Sequence, residues 1–225
     1  ALYTARIFNL VAYTLLIYAA IRLLPFGKWV AAIVGLLPMH ILLAASMSAD
    51  PVSIGLAALF IATVLKLRTL ERALSTKELI LLFGLIAAVA VTKLPFPLLL
   101  VMLIFVPIKV LGGTRAKWWL WIGGATLTAA IAGIGWLLLA RRGLVSYGPP
   151  GVDIAAQLHH VVTHPLAFIK AMLLTMFWHI GDGFVSMYVV SIGYVETRLP
   201  IWFGYAYAIF VAFAAFPVRT ISSAA

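Results

Sequence analysis

The chain has 225 residues, of which 65% are hydrophobic and 10% are charged, and its formal net charge is +10 at pH 7. A soluble domain of this size could not bury so much apolar surface, so lipid must be the solvent for most of the chain. The basic residues lie mostly between hydrophobic runs, which is how topology-setting charges are placed, and nucleic acid is therefore excluded as a partner. The absence of cysteine excludes disulfides, a thiolate nucleophile and a cysteine-ligated zinc ion.

Apolar runs in the first part of the chain predict transmembrane helices, because a span requires roughly 20 mostly apolar residues. The runs cover residues 7–24, 29–47, 51–67, 78–91, 97–111 and 118–140. Before the third run, Asp50-Pro51 is typical of a helix start with the aspartate as N-cap. Before the fourth run, a serine followed three residues later by Glu78 predicts a capping box.

The chain then becomes polar over residues 141–165, and two further apolar segments follow at residues 166–190 and 201–217. The first of these is broken by Gly181, Asp182 and Gly183. If the chain starts outside the cytoplasm, the connections richest in Lys and Arg all lie inside. An interfacial or re-entrant segment at 166–190 then keeps Asp182 and Glu196 outside. We predict an all-α polytopic membrane protein with about seven transmembrane helices plus that segment, as a single domain over 1–225 with an outer region at 141–200.

Acidic residues collect on the predicted outer side, where a carboxylate at the membrane is costly and suggests function. These acids are Asp50, Asp153, Asp182 and Glu196. Besides starting a helix, Asp50 is suited to bind a divalent cation through oxygen or to hold a substrate hydroxyl.

Several basic residues lie on the same side, against the usual charge distribution. Lys93, Arg141 and Arg142 either reach lipid headgroups or recognise a phosphate group. Arg6, one helical turn before Asn9, is suited to the same rim.

The histidines allow metal binding and structural roles. His160 and His164 share a face if their segment is helical, which suits a metal, but no zinc-protease motif accompanies them. The structural alternative places them at the interface or at a helix start before Pro165. His40, inside the second run, is predicted to form a hydrogen bond with a neighbouring helix.

Five short motifs occur in order along nearly the whole chain. They are Arg6/Asn9, Ser46/Ser48/Asp50, Lys93/Pro95, Gln157/His164/Pro165 and Gly193/Thr197/Leu199/Pro200. Together they resemble a family of predicted membrane proteins of unknown function that is grouped with the GT-C glycosyltransferases. The resemblance implies a GT-C-like helical bundle in a bacterial plasma membrane, with its active face outside the cytoplasm. It also implies transfer of a sugar from a polyprenyl-phosphate carrier to an outer acceptor.

The outer residues have expected roles in such a sugar transfer. Asp50 resembles the second outer acid of these enzymes, and Mg²⁺ or Mn²⁺ is the cofactor expected near it. The residues expected to bind the carrier phosphate or the substrate are Arg6, Lys93, Arg141, Arg142, His164, Asp182 and Glu196. The base in the first outer loop would precede Ala1, so the chain is expected to be a piece of a longer protein and inactive alone.

Two other functional classes stay open. A transporter or flippase for a lipid-linked or anionic substrate fits the broken segment around Asp182 and the intramembrane His40. A structural subunit that binds lipid headgroups without chemistry also fits. A lipid or polyprenyl phosphate bound near Lys93 would favour an enzyme or a transporter over a structural subunit.

Overall fold

The computed structural model describes residues 2–93, 95–140, 153–179, 191–192 and 197–215. The described chain is predominantly helical, which confirms the helical class. Its elements are α1 (Leu2–Leu23), α2 (Lys28–Gly35), α3 (Pro38–Ala44), α4 (Asp50–Arg68), α5 (Thr76–Ala90), a 3-10 helix (Phe96–Phe105), α6 (Arg115–Ala140), α7 (Ile154–Thr163), α8 (Pro165–His179), β1 (Ser191–Ile192), β2 (Thr197–Arg198) and α9 (Ile201–Ala215). The two short strands pair antiparallel, with Ser191 opposite Arg198.

Among the described residues, α1, α4 and α6 are each long and apolar enough to cross a membrane. They correspond to the first, third and sixth predicted spans. Large apolar side chains on these and neighbouring helices are exposed, for example Phe8 at 71%, Leu81 at 71% and Leu139 at 77%. Exposed apolar surface on this scale is suited to lipid. The fourth and fifth predicted spans are the shorter α5 and the 3-10 helix, and the total of seven crossings stays a prediction.

The second predicted span is wrong as a continuous helix, because it consists of α2 and α3 with a break between them. Pro38 begins α3 and has no N–H group, so it cannot donate to the carbonyl of Val34 four residues earlier. The Val34 oxygen instead accepts from the Leu37 backbone N–H at 3.2 Å, and His40 Nδ1 lies 2.9 Å from the same oxygen. The predicted hydrogen bond of His40 therefore closes across the break to α2.

The neighbouring carbonyls of the break also receive side-chain donors. The Tyr13 hydroxyl of α1 donates to the Gly35 oxygen at 2.7 Å, and the Tyr207 hydroxyl of α9 donates to the Ile33 oxygen. An unpaired carbonyl in hydrocarbon costs several kcal/mol. The Ile33 oxygen also accepts from the Leu36 backbone N–H at 3.1 Å, so Tyr13 is the tyrosine that satisfies a carbonyl left without a backbone donor at the break.

We expect Tyr13→Phe to lower the free energy of unfolding by about 1 kcal/mol, the typical value of a side-chain hydrogen bond between membrane helices. Tyr18→Phe is the matched control, because Tyr18 lies on the same helix and is 58% exposed. Equilibrium unfolding in mixed detergent micelles measures both. Equal stability of the two variants would show that the bond to Gly35 contributes nothing.

The helices α1 and α4 pack side by side and run in the same direction. Leu16 of α1 lies against Gly55 of α4, and one turn further Ala20 clusters with Ala62. A second cluster joins α4 to α5, to the 3-10 helix and to α6 through the fully buried Phe60 and Ile86. This packing places the first turns of α1 and the start of α4 at the same end of the bundle.

The opposite end carries most of the positive charge and is held by polar contacts. Glu71 contacts Lys109, and Arg72 donates to both carboxylate oxygens of Glu78 at 2.7 and 2.8 Å. Ser75 and Glu78 form the predicted capping box at the start of α5, which confirms that prediction. The two ends of the bundle thus differ in charge, as the topology predicted from Lys and Arg requires.

Candidate functional site

The turn between α3 and α4 is built by two serine hydroxyls. Ser46 Oγ donates to the Leu43 oxygen at 2.7 Å and accepts from the Ser48 backbone N–H at 3.1 Å. Ser48 Oγ in turn accepts from the Asp50 N–H at 3.1 Å. Hydroxyls at these positions replace backbone partners that the turn lacks. The Ser-x-Ser-x-Asp spacing therefore has a local structural reason, which is to deliver Asp50 to the start of α4.

Asn9 of α1 fastens this turn from outside. Its Nδ2 donates to the backbone oxygens of Ser46 and Ser48, each at 2.9 Å. An amide nitrogen carries two hydrogens, so both of its donors are used. Two of the five sequence motifs thus meet in one hydrogen-bonded unit.

Asp50 does not cap α4, which corrects the sequence prediction. The N-cap is Ala49, which makes no side-chain hydrogen bond there, and Asp50 is already helical, with Pro51 next. A residue inside the first turn points its side chain away from the capping position. The carboxylate of Asp50 instead forms an ion pair with the ammonium group of Lys93.

Lys93 follows the C-terminal end of α5, three residues beyond Ala90. Its side chain is 47% exposed and that of Asp50 is 34% exposed, so other molecules can reach the pair. Exposed ion pairs typically contribute only about 0–1 kcal/mol to stability. The pair therefore contributes little to folding stability. A ligand that binds either charge would break the ion pair at a small cost in free energy.

Two other predicted site residues lie in the described chain but are not joined to this pair. Arg6 is exposed on α1, and its guanidinium lies over the Tyr3 ring, 6.0 Å from the ring centroid. His164 follows α7, and its ring stacks on that of His160 with centroids 4.6 Å apart. Of these two residues, Arg6 is the closer in sequence to the Asp50 turn, because it lies one helical turn before Asn9.

The other predicted binding residues, Arg141, Arg142, Asp182 and Glu196, lie outside the described residues. Asp153 is described and is the N-cap of α7, where its carboxylate accepts from the Ala156 N–H at 3.0 Å. That role accounts for one of the four outer acids by local helix structure.

The residues around Asp50 do not by themselves fit a divalent cation. Mg²⁺ and related ions require several oxygen ligands, whereas the one carboxylate here faces an ammonium group. Over the ranges that the structure describes, no three His, Asp or Glu side chains come together to hold a metal. The role of Mg²⁺ or Mn²⁺ stays a prediction, and no step below depends on it.

The pairing of Asp50 with Lys93 was not predicted as such, although a signal for it existed. Both residues were placed on the outer side from the parity of the spans, and they carry opposite charges. What the sequence lacked was the order of the helices in space. The packing of α5 against α4 supplies it.

A family model described as "Predicted membrane protein (DUF2142)" matches residues 1–225. The chain matches no curated protein and no solved structure. The description of this family supports a membrane protein and names no activity.

Proposed function

The chain belongs to the DUF2142 family of predicted membrane proteins, and we propose that the protein transfers a sugar from a polyprenyl-phosphate carrier to an acceptor outside the cytoplasm. One observation carries the proposal. Three of the five motifs, which supply Asn9, Ser46, Ser48, Asp50 and Lys93, converge at one end of the bundle. A carboxylate beside an exposed ammonium group at the predicted membrane surface suits an anionic, lipid-borne substrate.

In this reaction the acceptor hydroxyl loses its proton to a carboxylate base, and its oxygen attacks the anomeric carbon of the sugar. The bond from that carbon to the carrier phosphate breaks, and its electron pair leaves with polyprenyl phosphate. Lys93 is suited to stabilise the departing phosphate by charge and hydrogen bonding. Arg141 and Arg142 are proposed to assist it. Asp50 holds the Lys93 ammonium in position and orients the acceptor.

A transporter is the second candidate, and the break between α2 and α3 favours it. Interrupted helices near the bilayer centre are typical of transporter binding sites, where free carbonyls bind ions. Here the carbonyls of Ile33, Val34 and Gly35 receive donors from Tyr207, His40 and Tyr13. Because those oxygens already have side-chain partners, this break supports ion binding less strongly than the rim supports phosphate binding.

The proposal is tested with the complete protein in liposomes that contain a polyprenyl-phosphate-linked radiolabelled sugar and an extract of outer acceptors. We expect release of free polyprenyl phosphate, and we expect Asp50→Asn to slow that release by about tenfold or more, since it removes the charge that positions Lys93. Glu71→Gln, which removes a carboxylate from the opposite end, is the control and should not change the rate. Movement of the intact lipid-linked sugar across the membrane, without cleavage, would establish transport instead.

A further inference from the structure

A groove of about 780 Å³ begins beside Lys93 and continues between the 3-10 helix and α6. Its walls are almost entirely apolar, and Lys93 is the one charged residue among the described residues that line it. Ala90 and Val91, at the end of α5, line the groove beside Lys93. Lys93 therefore lies at one end of a long hydrophobic groove.

The 3-10 helix forms one wall of the groove, and its three-residue repeat explains why the apolar side chains of that wall are aligned. Side chains three apart are eclipsed in such a helix, and Leu98, Val101 and Ile104 all line the groove. Each of the three is at least half exposed, at 76%, 60% and 50% respectively. In an α-helix, side chains three residues apart are not aligned, so these three would point in different directions around the helix axis. The ten-residue 3-10 conformation, between Pro95 and Pro107, thus produces a straight apolar face.

The opposite wall, on α6, contains a stripe of small residues beside larger ones such as Ile134 and Leu137. Thr126, Ala129, Ala130 and Gly133 follow the spacing of one helical face. At Gly133 the helix α6 lies close to the end of α5, where a Cβ atom would be in ordinary contact with the Ala90 oxygen at 3.4 Å. The small side chains of this stripe and the branched ones of the other wall leave a narrow space between the two helices.

The dimensions of the groove suit one hydrocarbon chain. Its α6 wall covers residues 122–140, about 27 Å at about 1.5 Å per residue. The hydrocarbon core of a bilayer is about 30 Å thick. The groove therefore covers nearly the depth of the apolar layer and has a cation at the end where Asp50 and Asn9 lie.

We propose that this groove binds the hydrocarbon chain of polyprenyl phosphate, with the phosphate against Lys93. The inference rests on the proposed function, since this lipid is the carrier of that reaction. Lys93 has three N–H donors and pairs with the Asp50 carboxylate. Because its side chain is half-exposed, the ammonium group can also donate to a phosphate oxygen. A single groove matches a single-chain lipid, whereas a membrane phospholipid has two chains to accommodate.

The test is photo-crosslinking in phosphatidylcholine liposomes with a polyprenyl phosphate probe that carries a diazirine in the middle of its chain. We expect labelled peptides from the 3-10 helix and from the Ala130 region of α6. Ala130→Trp should reduce labelling about tenfold, because the indole displaces about two methylene groups of buried chain. Leu127→Trp places the same ring on an exposed position of the same helix outside the groove and should label as the wild type does.

Further arms of the experiment separate the possible occupants. The corresponding polyprenol probe, which lacks phosphate, should label at least about tenfold less if Lys93 binds the headgroup. Equal labelling of the Ala130→Trp and Leu127→Trp proteins, or labels only outside the groove, would overturn the inference. Competition by a two-chain anionic phospholipid as effective as that by polyprenyl phosphate would also overturn it.

Sugar transfer measured on the same liposomes distinguishes this inference from the proposed function. Groove labelling without any transfer supports the lipid site and contradicts the enzymatic proposal. Undiminished transfer by Ala130→Trp contradicts the lipid site and leaves the enzymatic proposal standing.

Discussion

Replacing Lys93 with methionine is expected to lower sugar transfer by about 100-fold or more, which is the typical effect of removing one donor that stabilises charge in a transition state. The substitution keeps a long, flexible side chain and removes only its charge. Lys77→Met is the matched control, because Lys77 is exposed in the first turn of α5 whereas Lys93 follows its last turn. Rates measured at saturating donor isolate the effect on the chemical step.

If Lys93 only holds the helices together, stability and sugar transfer should change together. Two double variants test this alternative. In Asp50→Asn/Lys93→Met no unpaired carboxylate is left behind, so the protein should keep its wild-type stability while transfer stays low. In Asp50→Lys/Lys93→Asp the ion pair is rebuilt with its charges reversed. Full recovery of transfer in the reversed pair would show that Lys93 only holds the helices together, and it would contradict phosphate binding.

The placement of Asp50 and Lys93 at one end of the bundle was predictable from the sequence. It followed from counting apolar runs and from the distribution of Lys and Arg, which depends on the whole chain rather than on local geometry. The capping box at Ser75 was predictable for the opposite reason, because its two residues interact over three positions.

The break in the second predicted span was not predicted, although Pro38 is visible in the sequence. A proline in a membrane helix is tolerated when other groups satisfy the freed carbonyls. One of those groups is the hydroxyl of Tyr13, which donates to the Gly35 oxygen 22 positions later. Local sequence cannot show a partner at that separation, so the outcome depended on tertiary packing.

The conformation of residues 96–105 was also beyond the sequence. The run is apolar on every side, so a period of 3.0 residues cannot be told from one of 3.6. The groove lined by Leu98, Val101 and Ile104 is a consequence of that difference. The sequence also placed His164 in an outer loop, but it gave no indication of the distance between His164 and Asp50.

Gly55 and Gly84 lie inside α4 and α5 respectively, and we expect substitution by alanine to have opposite effects at the two positions. A Cβ atom at Gly55 would lie 2.7 Å from Cβ of Leu16 on α1, whereas nothing lies within 4 Å of one at Gly84. Because Cβ of Leu16 is fixed to its backbone, α1 and α4 must separate. Overpacking typically costs about 1–3 kcal/mol, against a gain of up to about 1 kcal/mol from replacing glycine in a helix.

Gly55→Ala is therefore expected to destabilise the protein by about 1 kcal/mol or more, and Gly84→Ala to leave it as stable or stabilise it. Unfolding in mixed micelles measures both. The separation of α1 from α4 also has a functional consequence, since it draws Asn9 away from the oxygens of Ser46 and Ser48. Sugar transfer should fall in Gly55→Ala and persist in Gly84→Ala. Equal stability and equal transfer in the two variants would show that the close approach of α1 to α4 does not hold the Asp50 turn in place.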